Sequence, residues 1–120
     1  MKKIVIVDDE PNIVMSLEYT FKKNNFEVFI ARDGQEALEI IKTTIPDIII
    51  LDIMMPLVDG YATLETIKKE EKLSHTKVVF LSAKNKESDI AKGFSLGADA
   101  YLTKPFSVKK VVDTVLELLD

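Results

Sequence analysis

The chain has 120 residues, room for one domain and little else. Sixteen Lys and Arg against twenty Asp and Glu leave a net charge of −4 with a single arginine, Arg32, which argues against a nucleic-acid binder needing a basic face. Hydrophobic residues at 47% describe a folded globular protein, and the absence of cysteine excludes disulfides, thiolate metal sites and cysteine nucleophiles.

The first apolar segment, Ile4 to Val7, predicts a strand. It begins like a signal peptide, but Asp8 and Asp9 close it after four apolar residues. No later run is long enough to span a bilayer, so a cytoplasmic protein without membrane contact is expected. Ile13, Leu17 and Phe21 follow at four-residue steps and predict a helix, with Pro11 suited to its first turn. Phe26 to Ala31 reads as a second strand and Asp33-Gly34 as a join. Ile48 to Leu51 reads as the third strand, Asp59-Gly60 as the next join, and Val78 to Leu81 as the fourth strand. The run Lys68-Lys69-Glu70-Glu71-Lys72 reads as an exposed helix end. After Gly97 comes a short fifth strand, Ala100 to Leu102. Val108, Val111, Val112, Val115 and Leu119 then fall on one helical stripe.

Strands alternating with single helices imply βαβ crossovers and a parallel sheet. The first, third and fourth strands are continuously apolar, as strands covered on both faces must be. The second contains Glu27 and the fifth is short, which places them at the edges. The expected fold is therefore α/β, a doubly wound (βα)5 flavodoxin-like domain over residues 1–120, with strand order 2-1-3-4-5. Ligands of such sheets bind at the carboxyl ends of the strands. Asp8-Asp9, Asp52, Ser82 and Thr103-Lys104-Pro105 all end strands on that edge.

Three carboxylates at one edge repel, at a cost on the order of 4 kcal/mol for a pair ~4 Å apart. A divalent cation offsets that most simply, and all-oxygen ligation selects a hard ion such as Mg²⁺; Lys104 is a partial offset. No GxxxxGK[ST] or GxGxxG sequence follows a strand, so nucleotide cradles are excluded. The only histidine, His75, lies in a polar loop, which leaves no Ser/His/Asp triad. What remains is phosphoryl chemistry on a carboxylate. Asp52 is the candidate nucleophile, and Ser82 and Lys104 are candidates to hold phosphoryl oxygens.

At this point the chain resembles, over its whole length, the receiver domain of two-component response regulators, the CheY-like superfamily. The likeness rests on Val7-Asp8-Asp9-Glu10-Pro11, Leu51-Asp52-Ile53-Met54-Met55-Pro56, Asp59-Gly60, Leu81-Ser82-Ala83 and Gly97-Ala98-Asp99-Ala100-Tyr101-Leu102-Thr103-Lys104-Pro105-Phe106. The resemblance implies that Asp52 is a phosphoacceptor served by a sensor histidine kinase or phosphotransfer protein. It implies that Asp8, Asp9, Asp52 and the backbone carbonyl of Met54 hold Mg²⁺. It implies that Lys104 bonds the phosphoryl oxygens, and that Ser82 and Tyr101 form the switch. The Lys104-Pro105 peptide is typically cis in this family. An output partner or domain would then read the face formed by the fourth helix, fifth strand and fifth helix.

Such a domain assists its own phosphoryl transfer and dephosphorylation without being an enzyme in the ordinary sense. Met54 and Lys84, each two residues beyond a key position, stand where the family varies and tunes the lifetime of the phosphoryl group. Met54 cannot orient water through its side chain, so a long-lived state is expected. A phosphorylation-dependent dimer is left open: Lys92 and Asp99 fit the charged set of the winged-helix subfamily, whereas Ala100, Lys110 and Thr114 depart from it. Two rival readings stand beside the switch. One is a small Mg²⁺-dependent phosphohydrolase with Asp52 as nucleophile, for which Met54 stands where a second acid belongs. The other is a pseudo-receiver that binds partners without phosphorylation.

Overall fold

The computed structural model describes residues 1–55 and 57–120; Pro56, part of the motif around Asp52, lies outside the described residues. In chain order the elements are β1 (Lys2–Val7), α1 (Pro11–Lys23), β2 (Phe26–Ala31), α2 (Gly34–Thr44), β3 (Ile48–Leu51), α3 (Gly60–Lys68), a 3-10 turn (Glu71–Leu73), β4 (Lys77–Ser82), α4 (Glu87–Ser95), β5 (Ala100–Thr103) and α5 (Val108–Leu119). The strands form one parallel sheet in the order β2-β1-β3-β4-β5. The expected fold and strand order are thus the observed ones.

Side chains alternate across a pleated strand, so each central strand feeds two cores. Val5, Val7, Ile49, Leu51, Val78 and Phe80 face α2 and α3, where Ala37, Ile41, Leu64 and Ile67 meet them. Ile4, Ile6, Ile48, Ile50, Val79 and Leu81 face α1 and α5, where Leu17, Phe21, Val111 and Val115 meet them. A slip of one residue in register would exchange the two sets. Since both faces are buried, the pattern holds the register firmly.

Helix starts follow from local chemistry. Asp33, Asp59 and Ser107 each accept a backbone N–H of the first turn, at 2.8, 2.9 and 3.1 Å, of α2, α3 and α5 respectively. Pro11 opens α1, where its missing N–H costs nothing. The basic and acidic run after α3 is not a simple helix end. It tightens into the 3-10 turn, because Leu73 is buried against the α2–α3 core.

Candidate functional site

Parallel register brings the strand ends together. Val7 lies beside Leu51, Leu51 beside Phe80, and Ser82 beside Thr103. The residues that follow, Asp8, Asp52 and Lys104, therefore converge at the carboxyl edge. The backbone continues the ladder one step further, with Asp52 N–H donating to Val7 O at 2.9 Å and Lys104 N–H donating to Ser82 O at 2.8 Å. The N-terminal turn of α3 presses on the same backbone. A Cβ on Gly60 would lie 2.5 Å from Asp52 O and 2.6 Å from Ile53 Cα, so only glycine allows that approach.

Asp8 and Asp52 are 1% and 4% exposed. Lys104 Nζ lies 2.9 Å from Glu10 Oε1, 3.1 Å from Asp8 Oδ2 and 3.5 Å from Asp52 Oδ2. Glu10 N–H donates to Asp8 Oδ1 at 2.9 Å, and Met54 N–H donates to Asp52 Oδ1 at 3.2 Å. Asp8 Oδ2 is the exception: its ion-pair contact with Lys104 lacks hydrogen-bond angles, and it is buried without any hydrogen-bond donor. A buried carboxylate oxygen in that condition is costly unless a cation faces it.

The electrostatics follow from this geometry. Burial, then the charge of Asp8, push Asp52 up to about 6, against the opposing pull of Lys104. Burial likewise raises Asp8. Burial alone would lower Lys104; its bond to Glu10 and the charges of Asp8 and Asp52 outweigh that and raise it.

Asp8, Glu10 and Asp52 each bring a carboxylate oxygen within 4.8 Å of the others, a cluster like that of a receiver-domain metal site. The donors are all oxygen and one is an orphan, so they fit a hard divalent cation. Asp9, expected in this group, is exposed and outside the cluster, whereas Glu10, not singled out from sequence, is inside it. The Met54 side chain is 57% exposed, while its backbone turns back onto Asp52.

Ser82 is fully buried at the end of β4, and its Oγ accepts from Lys84 N–H at 3.2 Å. Tyr101 reaches the other side of the same residue, its hydroxyl donating to Lys84 O at 2.7 Å. The two switch candidates therefore meet at Lys84. Burial pushes the Tyr101 phenol up to about 12, which keeps it a donor. Its ring stands 5.9 Å from that of Phe80, which in turn stands 5.7 Å from Tyr61. Tyr61 donates to Asp89 O at 3.1 Å, and Lys92 Nζ sits 4.3 Å above its ring. Lys92 and Asp99, the two charges that fit a dimer set, thus both have partners within the chain, Asp99 accepting from Val78 N–H at 2.8 Å. The Lys104-Pro105 bond is cis. His75 is exposed in the turn before β4. No helix among the described residues is long and apolar enough to cross a membrane.

Comparison with known proteins agrees with this arrangement. The family model for the response regulator receiver domain matches residues 4–116. The alkaline phosphatase synthesis transcriptional regulatory protein PhoP of Bacillus subtilis (strain 168) is 40% identical over 118 residues, covering 98% of this chain and 48% of that protein. The chain therefore spans about half the length of that relative. Among solved structures, the receiver domain of the Francisella response regulator 1452 superposes with a TM-score of 0.91 at 34% identity, over 99% of this chain and 97% of that one. The chemotaxis protein CheY4 of Vibrio cholerae superposes with a TM-score of 0.93 at 28% identity, over 99% of both chains.

Proposed function

From the premise that this chain belongs to the response regulator receiver family, we propose that residues 1–120 act as one phosphoacceptor switch with Asp52 as the acceptor. The observation that carries the reading is the position of Asp52. It is a buried carboxylate at the end of a central strand, with Lys104 and a second buried acid, Asp8, beside it. An oxygen of Asp52 attacks the phosphorus of a phosphohistidine on a sensor kinase or phosphotransfer protein. The O–P bond forms as the N–P bond breaks, and the departing imidazole takes up a proton.

Asp8, Asp52 and the Met54 carbonyl would hold Mg²⁺, with Asp9, exposed beside them, as the further acid the family pattern supplies and with Glu10 bonded to Lys104. When bound, the ion supplies positive charge against the phosphoryl oxygens. Lys104 supplies a further charge-assisted bond to them. Ser82 turns its side chain to donate its hydroxyl to the phosphoryl group, and that turn carries Oγ away from Lys84 N–H. Tyr101 bonds the other side of Lys84, so the movement passes to α4 and β5. The α4-β5-α5 face is then the surface an output partner or domain reads. Gly93 is the one buried residue of α4, and the Phe94 side chain beside it is exposed, so this helix is lightly anchored.

A simple phosphohydrolase is less well supplied, because the exposed Met54 side chain has no proton to give a leaving group. The decisive experiment is intact mass after incubation with a small-molecule phosphodonor and Mg²⁺. One phosphoryl adduct is expected, dependent on Mg²⁺ and absent in Asp52→Asn. An adduct that persists in Asp52→Asn would place the acceptor elsewhere. Steady release of phosphate from a phosphomonoester would favour the hydrolase.

A further inference from the structure

We infer that Glu10 holds the Lys104 contact that a phosphoryl group on Asp52 would need, and so restrains the acceptance of that group. The inference rests on the reading of Asp52 as acceptor and assigns a positioning role to a residue outside the expected set.

An ammonium group has three N–H donors. Around Lys104 Nζ stand three carboxylate oxygens, from Glu10 at 2.9 Å, Asp8 at 3.1 Å and Asp52 at 3.5 Å. Two of the donors go to Glu10 and Asp52, and the ammonium also rests against Asp8 as an ion pair without a hydrogen bond, so a phosphoryl oxygen on Asp52 has to draw Lys104 away from one of the two other carboxylates. Asp8 is the wrong one to lose, since its Oδ2 is buried and has no hydrogen-bond donor. Separation from Lys104 would leave an uncompensated buried charge. Glu10 is the opposite case: its side chain is 57% exposed and passes into water at little cost. Its contact is also the shortest of the three, so it is the competitor that matters.

Charge adds to competition. A Glu10 oxygen lies within 4.8 Å of oxygens of Asp8 and Asp52, where a phosphoryl group would bring about −1.5 to −2 charges. The Glu10 backbone cannot withdraw. Its N–H is bonded to Asp8 Oδ1, and Pro11 begins α1 at the next residue. Only the side chain can swing away. Glu10 therefore acts through Lys104 as a stand-in anion that the phosphoryl group must displace.

The test titrates wild type, Glu10→Gln and Glu10→Asp with Mg²⁺ alone and then with beryllofluoride in saturating Mg²⁺. Backbone amide NMR signals of Met54, Ala83 and Lys104 follow binding. Glu10→Gln is expected to bind beryllofluoride about two- to fivefold more tightly, each protein being compared at its own saturating Mg²⁺. Glu10→Asp keeps the charge but is one methylene shorter, and should fall between the two. A ligand-free readout accompanies these: exchange of the Lys104 ammonium hydrogens should be faster in Glu10→Gln than in wild type. Unchanged or weaker beryllofluoride binding in Glu10→Gln would overturn the inference. So would a large loss of Mg²⁺ affinity, which would make Glu10 a metal ligand instead. If wild type binds Mg²⁺ but no beryllofluoride, the acceptor reading itself fails and the inference falls with it.

Discussion

The two ends of the sheet treat the same side chain in opposite ways. At the amino end, Asp47 and Asp99 stand at the starts of β3 and β5, and each accepts a backbone N–H from a neighbouring strand, Lys3 at 2.7 Å and Val78 at 2.8 Å. Thr76 does similar work there, its hydroxyl donating to Pro46 O at 2.7 Å. These side chains complete the hydrogen bonding of strand ends and hold the register. At the carboxyl end, Asp8 and Asp52 are buried beside each other, with one oxygen left without a donor and Asp52 pushed up to about 6. One edge is built to be satisfied and the other to be discharged by something that arrives. A groove of about 890 Å³ around Asn25, Phe26, Asp47 and Leu116 lies at the satisfied edge, so size does not locate the chemistry.

The sharpest break of this comparison exchanges one acid at each end. Asp52→Asn removes a charge the fold holds unfavourably. In metal-free buffer it should stabilise the protein by on the order of 2–3 kcal/mol, the equivalent of the rise from 3.8 to about 6. Asp99→Ala leaves Val78 N–H without its acceptor and should cost about 1–2 kcal/mol. Urea denaturation of both variants measures this. Two variants that shift stability in the same direction would erase the distinction between the edges.

Much of this contrast was legible in the sequence, and the reasons are particular. Unbroken apolar runs in β1, β3 and β4 placed them centrally, and Glu27 placed β2 at an edge, because burial on both faces leaves no room for a charge. Their ends were less legible. The apolar runs alone stop short of the lysines at which β1 and β4 begin, Lys2 and Lys77, since backbone pairing extends past the apolar residues. The convergence of Asp8, Asp52, Ser82 and Lys104 followed from topology alone. Glu10 was visible beside the acidic pair, but nothing in sequence says which of two adjacent acids turns inward. The contact between Tyr61 and Lys92 joins two elements far apart in the chain, and no local pattern announces it. Gly93 did carry a signal. A glycine inside a helical segment costs ~1 kcal/mol and usually has a packing reason.

A smaller effect sharpens the comparison through pH. A carboxyl group raised in the folded state binds its proton more tightly there than in the unfolded chain. Between 3.8 and about 6 the folded state therefore holds more protons, and stability falls as pH rises through that window. Lowering the pH from about 7 to 5 should strengthen metal-free wild type relative to Asp52→Asn by about 1 kcal/mol. Taking the difference between the two proteins cancels the groups they share. Saturating Mg²⁺ should flatten the trend, because a cation at the site favours the charged form. A difference that does not vary with pH would mean that Asp52 is not charged at a cost.

The least costly change tests whether the carboxyl edge is coupled to the surface. A Cβ on Gly93 would lie 3.0 Å from Tyr101 Cδ2 and 3.1 Å from Phe80 Cδ2, tighter than ordinary contact but against side chains that can shift. Gly93→Ala gains helix propensity worth ~1 kcal/mol and loses a comparable amount to crowding, so net stability should change by under about 1 kcal/mol. Its effect on position should be larger. The Tyr101 ring is the element with somewhere to go, since it is half-buried on an edge strand while Phe80 is fully enclosed. Moving it outward breaks the 2.7 Å bond to Lys84 O and uncouples Tyr101 from the residue it shares with Ser82. NMR of the Tyr101 ring should then report a more exposed environment, while Mg²⁺ binding at the Asp8–Asp52 end stays as in wild type. A ring that keeps its buried shifts in Gly93→Ala would mean that α4 yields instead, and that the helix, not the tyrosine, is the softer half of the switch.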